Sequence, residues 1–425
     1  MEYRAVRKAA MSLSLLSDDE RSAMLLRMAD GLQRNRDRIF QANGEDLAQA
    51  VSGGTPDALL HRLKLDGSKL EGALEGVRTV ASLPCPVGRV RERRLLDEGL
   101  LLEKVTYPIG VIGMVFEARP DALIQIVSLA VKSANGIILK GGREAMRTNS
   151  VLVEIIRESL DGAPFLMLLS SHSDVDTMLS MEGDVDLIIP RGSNAFVRYC
   201  MDHTHIPVLG HADGICSVYV DRSADLDLAV KVAVDSKVQY PAACNAAETV
   251  LVHEGIAGDF IPAFRAELDR YGVIIHADDR SLAILGGESG NVVRALEDDF
   301  HTEFLSLQLA LKVVDGIDEA IAHIASHGSH HTDAIITSDE TSRRRFFSEV
   351  DSADVFSNCS TRFADGFRFG LGAEVGISTG KIHARGPVGL EGLTTTKWQL
   401  SGSGQTVAEY SGSDARRFMH KDLPL

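Results

Sequence analysis

Cysteine is the side chain best suited to covalent chemistry, and the chain has five: Cys85, Cys200, Cys216, Cys244 and Cys359. Four stand in bland settings. Cys85 lies between prolines, Cys200 falls in a helical pattern, and Cys216 and Cys359 sit in runs that read as strands. Cys244 differs, because YPAACNAAETVLVHEG places it in a loop of small residues just before a strand pattern. A catalytic thiolate needs access and a lowered pKa, which small neighbours and backbone N–H dipoles can provide. On context alone, a catalytic and a packing role for Cys244 stay equally open. An odd, scattered set without Cys-x-x-Cys is neither a disulfide framework nor a zinc ribbon, and it points to a reducing compartment.

The other chemical signals are weaker. Histidines cluster as His203, His205 and His211, then as His327, His330 and His331. A metal site needs convergent imidazoles, and His327 and His331 at i, i+4 could share a helix face. Gly328 and Ser329 interrupt that helix, so the expected reading is a polar turn capping DEAIAHIASH, with no metal. Gly376–Ile377–Ser378–Thr379–Gly380 matches the G-x-S-x-G nucleophile elbow, which requires a strand before it and a helix after it. KIHARGP follows instead, and Pro387 argues against the helix. Neither G-x-G-x-x-G nor a P-loop occurs.

The elements that must position these residues follow from length and texture. A chain of 425 residues, at roughly 100–200 residues per domain, implies two or three domains. With 44 basic and 60 acidic residues the net charge is −16, which argues against a nucleic-acid or anionic-membrane partner but not against an anionic ligand in a local pocket. AAMSLSLL stops at SDDERS, so no signal peptide is expected, and no run approaches the ~18–20 apolar residues of a membrane span; a cytoplasmic location is expected. The first 80 or so residues read as helices, with a Ser/Asp cap in SDDERS and an apolar face at Met24, Leu25, Met28 and Leu32. VRERRLLDEGLLLEKVTYP reads as an exposed hairpin turning at Asp97–Glu98–Gly99. From Gly110 onward, VIGMVFE, GIILKGG, PFLMLLSS, DLIIPRGS and ICSVYVD alternate with helical stretches, and ETVLVHEG, YGVIIHAD, LQLALKVVD, DAIITSD and DVFSNCS repeat the texture. Such alternation means parallel sheets covered on both faces. The glycine-rich segment 366–398 reads as a long functional loop.

Several stretches in order carry a resemblance: PIGVIGMVFEARPDA (108–122), Lys140–Gly141–Gly142, DLIIPRGSN (186–194), GHADGICSVYVD (210–221), CNAAET, VDGIDEAIAHIASHGSHHTDAI (314–335) and the run 360–398. Over nearly its whole length the chain resembles the γ-glutamyl phosphate reductases, the proline-biosynthetic branch of the aldehyde dehydrogenase superfamily. The resemblance implies an aldehyde dehydrogenase-like α/β fold of two parallel-sheet domains and a small β oligomerisation arm. Residues 1–87 and 108–226 would form an NADP-binding domain, with 375–397 returning to it. Residues 227–374 would form the catalytic domain, and 88–107 with 398–425 the arm of a homo-oligomer.

The implied reaction is reduction of L-glutamate 5-phosphate by NADPH to L-glutamate 5-semialdehyde and phosphate. Cys244 would be the nucleophile, and Asn245 or a backbone N–H would be the second oxyanion donor, because Ala118 stands where an asparagine would. Lys140, Gly141 and Gly142 would meet the adenosine ribose and its 2′-phosphate, Arg191, Gly192 and Ser193 the pyrophosphate and nicotinamide, and Glu303 with Phe304 the nicotinamide ribose. Arg119, Asn358, Ser360 and Arg362 are the candidates for the anionic substrate. Leu209 and Gly210 occupy the region where aldehyde-oxidising relatives carry a water-activating glutamate, which favours acyl-phosphate reduction. The alternatives are an aldehyde dehydrogenase for another small semialdehyde and a catalytically silent binding protein of the same fold. Acyl phosphates hydrolyse readily, which makes a glutamate 5-kinase a conceivable partner that no residue here shows.

Overall fold

In the computed structural model, residues 2–117, 119–169, 174–211 and 213–425 are described; Ala118 and the last two residues of PFLMLLSS lie outside them. Five helices open the chain: Glu2–Ser14, Asp18–Arg34, Arg36–Ser52, Asp57–Leu63 and Gly67–Ser82. Ser17 caps the second of these, and Glu20 closes a capping box with it, so two otherwise orphaned N–H groups are satisfied. Leu25, Met28 and Leu32 from its apolar face are fully buried.

A four-stranded parallel sheet follows, in the order Leu166–Leu168, Gly136–Gly141, Val111–Phe116, Leu187–Arg191. Every residue of the two strands beginning at Val111 and Gly136 is buried, as expected of strands covered on both faces. The chain leaves Val111–Phe116 toward Gly136–Gly141 on one side and later returns on the other side through Leu187–Arg191. The loops at the carboxyl ends of these two neighbours of Val111–Phe116 therefore diverge, which opens a crevice of the kind dinucleotides occupy.

The second sheet has seven parallel strands in the order Val292–Arg294, Ile274–Ala277, Gln308–Val314, Ala247–His253, Cys216–Val220, Thr332–Ile336, Asp354–Ser357. This corrects the expected boundary at 226, because Cys216–Val220 pairs with Ala247–His253 and Thr332–Ile336 rather than with the first sheet. A fully buried apolar strand looks the same in either sheet, so its membership is a matter of partners. Cys359 likewise lies past the end of Asp354–Ser357 rather than within a strand. Gly376–Ser378 forms a two-stranded ribbon with Gly386–Val388, so the G-x-S-x-G match has no helix after it and is no elbow. Val375, Val388, Leu390 and Leu393 pack into the core of the first sheet.

The arm is antiparallel. Val90–Asp97 and Leu100–Pro108 form the expected hairpin, with Gly99 at φ +69 in its turn. Thr394–Ser401 adds to the outside of Leu100–Pro108, and Lys421–Asp422 to the outside of Val90–Asp97. The C-terminal part of the arm thus begins at Thr394, before the expected residue 398, because Thr394 already pairs with Pro108.

Helix Glu254–Asp269 anchors the second sheet through Phe260 and Phe264, both fully buried and stacked at 5.1 Å. Phe264→Ala is expected to cost about 3–5 kcal/mol through lost burial and a cavity, measured as a shift of the urea midpoint at unchanged m-value.

Candidate active site

Three consecutive positions of the second sheet bring the chemistry together at its amino end. Cys244 precedes Ala247–His253, Gly214 precedes Cys216–Val220, and Glu303 lies in the turn before Gln308–Val314. The turn at Cys244 is held by the Ala246 N–H donating to the Ala243 carbonyl at 2.9 Å and the Cys216 thiol donating to the Cys244 carbonyl at 3.3 Å. Gly214 passes so close that a Cβ there would fall 2.2 Å from the Cys244 carbonyl oxygen and 2.6 Å from Glu303 Oε1. Only glycine allows that approach. The Gly214 N–H in turn bonds the Glu303 carboxylate, and Asn194 Nδ2, from the helix after Leu187–Arg191, donates to Glu303 Oε2 at 2.5 Å. That last bond joins the carboxyl edge of the first sheet to the amino edge of the second.

The Cys244 thiol is half-buried. Burial, reinforced by the charges of Glu303 and Glu374, pushes it up to about 12, while Arg191 and Arg362 pull the other way. Burial also raises both carboxyls. Glu374 is tied by the Gly366 N–H at 2.7 Å. Arg119 is held below its ordinary value by burial and then by the neighbouring charges of Arg191 and Arg62. Arg362 is lowered by burial and Arg368, its Nε donates to Gln239 Oε1 at 2.9 Å, and its guanidinium lies 5.8 Å from the Tyr240 ring. Among the described residues no carboxylate pairs with Arg119, Arg191 or Arg362. Arg362 is buried, Arg191 half-buried and Arg119 exposed; guanidinium groups without counter-ions form a site for an anion.

A model of the aldehyde dehydrogenase family matches residues 2–281. The γ-glutamyl phosphate reductase of Synechococcus sp. (strain WH7803) is 53% identical, with 99% of this chain and 96% of that protein aligned. The chain belongs to the aldehyde dehydrogenase family, in its γ-glutamyl phosphate reductase branch. The enzyme of that name from Synechococcus elongatus is 51% identical over 99% of this chain and 98% of that one. A crystal structure of the γ-glutamyl phosphate reductase of Thermotoga maritima, 37% identical, superposes with a TM-score of 0.93 and covers 95% of this chain and 98% of that one.

Reductases of this family work with a nicotinamide dinucleotide, and the residues at the first sheet's carboxyl edge fit one. Val115 pairs with Lys140, and Phe116 with both Gly141 and Arg191, so Lys140, Glu117 and Arg191 line up along the crevice. Lys140 is buried, with Nζ donating to the Gly141 carbonyl at 2.6 Å. At Gly142 a Cβ would fall 2.0 Å from Glu144 Oε1. Ser193 stands at the N-cap position of the following helix without a side-chain cap bond, and its N–H meets Glu117 Oε2 at 3.3 Å, so a carboxylate already sits where an anionic ligand would. Phe304, next to Glu303, lies tilted against His276 with ring centroids 4.8 Å apart.

Three expected site residues are engaged elsewhere. Asn245 Nδ2 donates to the Ala364 carbonyl at 2.7 Å, so this amide tethers the turn that carries Arg362. Ser360 caps the Thr361–Phe363 turn and accepts from Ser236. Asn358 is not brought to the thiol: both ends of its amide bond the Thr337 backbone, in a turn at φ +57 past the carboxyl end of Asp354–Ser357.

Sequence reading missed two groups. His211 and His331, assigned to different clusters by proximity in sequence, meet with ring centroids 4.7 Å apart. The available signal was that each lies in the segment leading into a strand pattern. The other group is the fully buried pair Lys237–Glu248. Glu248 Oε1 also accepts from the Leu305 N–H at 3.3 Å, where Leu305 is held at φ +52 two residues after Glu303. The pair therefore clamps the turn that presents Glu303. Lys237→Met, which strands a buried carboxylate, is expected to lower stability by about 3–5 kcal/mol, and Lys237→Met with Glu248→Leu to recover most of it; urea unfolding of the three proteins reads this directly.

Proposed function

We propose that the chain reduces L-glutamate 5-phosphate to L-glutamate 5-semialdehyde, releasing phosphate, with NADPH as reductant and a thioester on Cys244 as intermediate. The observation that carries this reading is a half-buried thiol under the charge of two guanidinium groups without counter-ions, Arg191 and Arg362, with Arg119 near Arg191. The substrate is anionic at both ends, and planar guanidinium forks match phosphate and carboxylate oxygens.

The Cys244 sulfur attacks the γ-carbonyl carbon, and the carbon–oxygen bond to phosphate breaks. The thiol proton departs on the leaving group as hydrogen phosphate, so the step needs no resident base to store it. Asn245 is committed to Ala364, which leaves backbone N–H groups of the Cys244 turn to hold the oxyanion. When bound, the reduced nicotinamide would supply the hydride and solvent the proton that take the thioester to a thiohemiacetal, from which the aldehyde leaves and the Cys244 thiol is restored. Lys140 and Arg191 suit the phosphates of the dinucleotide, including the extra one of NADPH, and Glu303 suits ribose hydroxyls. Leu209 is buried and Gly210 has no side chain, so neither activates a water. This disfavours the reading as an oxidising dehydrogenase for another semialdehyde, and the assembled thiol, arginines and Glu303 disfavour a silent binding protein.

The reaction run backwards, with L-glutamate 5-semialdehyde and NADP⁺, is expected to raise the reduced-nicotinamide absorbance only when phosphate or arsenate is present. Cys244→Ala is expected to abolish it while dinucleotide binding survives. Turnover without either anion, or by the alanine variant, would sink this reading.

The arm supports a homo-oligomer. Thr394–Ser401 is an edge strand whose Trp398 and Leu400 are 54% and 57% exposed, and an open apolar edge invites pairing with another chain. Among the described residues no helix is long and apolar enough to cross a membrane, and unpaired cysteines suit the cytoplasm. A kinase supplying the labile acyl phosphate fits the chemistry. Light scattering at micromolar concentration is expected to give a multiple of 45.9 kDa, reduced by Trp398→Lys with Leu400→Lys; a monomeric wild-type chain counts against the arm's role.

A further inference from the structure

The loops before three neighbouring strands of the second sheet converge on more than the thiol. His211, Cys244 and His331 precede Cys216–Val220, Ala247–His253 and Thr332–Ile336, which lie side by side. One ring nitrogen of each histidine and the Cys244 Sγ lie within 4.8 Å of one another. His211 Nδ1 is bonded to the Ile377 carbonyl at 2.9 Å, which makes it the protonated nitrogen and leaves Nε2 with a free lone pair. His331 is fully buried, its Nδ1 faces Thr332 Oγ1 at 2.8 Å, and its Nε2 has no hydrogen-bond partner. A buried polar atom without a partner is costly. Such an orphan in a native site calls for a ligand that the resident groups do not supply.

Imidazole nitrogens with free lone pairs and a sulfur are the donor set of zinc-class ions. Nothing in the proposed reaction uses either histidine.

We propose that His211, Cys244 and His331 form an inhibitory site for one zinc-class divalent cation, with water as fourth ligand. Binding breaks the Cys244 S–H bond, forms a metal–sulfur bond and releases one proton to solvent. Zinc bond lengths place tetrahedral N and S ligands roughly 3.3–3.6 Å apart, so the loops close by about 1 Å. Capture of the sulfur blocks acylation; this inhibitory effect rests on Cys244 being the nucleophile, whereas binding does not. The other histidine group, Glu297, His301 and His327, is a poorer site: His327 Nε2 is taken by Glu297 at 3.0 Å and its Nδ1 meets the His323 carbonyl at 3.1 Å.

The test is titration of the metal-free full-length chain with Co²⁺ and Zn²⁺. Co²⁺ is expected to give a thiolate-to-cobalt charge-transfer band at one ion per chain, with one proton released. Zn²⁺ is expected to remove the semialdehyde- and phosphate-dependent activity, and a chelator to restore it. Cys244→Ala should lose the band. His331→Gln should weaken binding more than roughly tenfold, since even outer partners of a ligand contribute 10–100-fold. Should His331→Gln not fold, the half-buried His211→Gln gives the same reading. An active chain that shows no thiolate band overturns the site while leaving the reductase reading intact. One-per-chain binding that survives Cys244→Ala and is lost in His327→Gln places the ion at the surface cluster and overturns it equally. Turnover by Cys244→Ala instead removes the reductase reading, and the band still reports the metal.

Discussion

The missing side chain at Gly214 is the constraint on which the site depends. Its backbone lies so near the Cys244 carbonyl and the Glu303 carboxylate that a single methyl group would collide with both. The close approach lets one N–H satisfy Glu303, and Glu303 in turn receives the amide of Asn194 from the other sheet. Thiol, carboxylate and the first sheet's crevice are thereby fixed relative to one another by short bonds. A glycine deep in a crowded loop carries that arrangement more economically than a larger residue with its own packing demands.

The second constraint is electrostatic. Burying a thiol near Glu303 and Glu374 raises it, and loss of solvent depresses Arg119 and Arg362. Neither set is at rest alone, since buried charge without a partner is costly. An anion of the substrate's size relieves the arginines and screens them from each other. The buried Lys237–Glu248 pair has a different role, because its charges face one another and the Leu305 N–H rather than the crevice. Its value lies in geometry: it holds a left-handed leucine in a turn that would otherwise relax.

Local texture was legible in the sequence where a single residue or period decides it. The SDDERS cap, the Asp97–Gly99 turn and the apolar strand runs all stand where their residues put them. Long-range pairing was not legible. Cys216–Val220 reads as one more buried strand of the first series, yet it lies between Ala247–His253 and Thr332–Ile336. His211 and His331 read as members of separate clusters, although the sheet order makes their loops neighbours. Lys237 sits in an ordinary amphipathic pattern, and nothing local announces that Glu248 will stand opposite it at zero exposure. The motifs quoted from the family were the part of the site that sequence could reach, because they record the outcome of folding rather than its local causes.

In the proposed reaction a thioester at Cys244 must outlast its exposure to water until hydride arrives, and the surroundings favour that. The position of a water-activating glutamate is taken by Leu209, whose N–H is bound to the Ile188 carbonyl, and by Gly210. Of the nearby carboxylates, Glu303 accepts from Asn194 and Gly214, and Glu374 from Gly366. These hydrogen bonds occupy carboxylate lone pairs and oppose the rise that burial imposes on both groups. The two imidazoles are held neutral by burial, but the same burial opposes their taking a proton, so they are poor general bases. A crevice that lacks a free base next to its sulfur hydrolyses an acyl group slowly whatever its affinity for water. The features that make the free thiol hard to ionise are thus the ones that protect the acylated sulfur, and a leaving phosphate that carries the proton away reconciles the two.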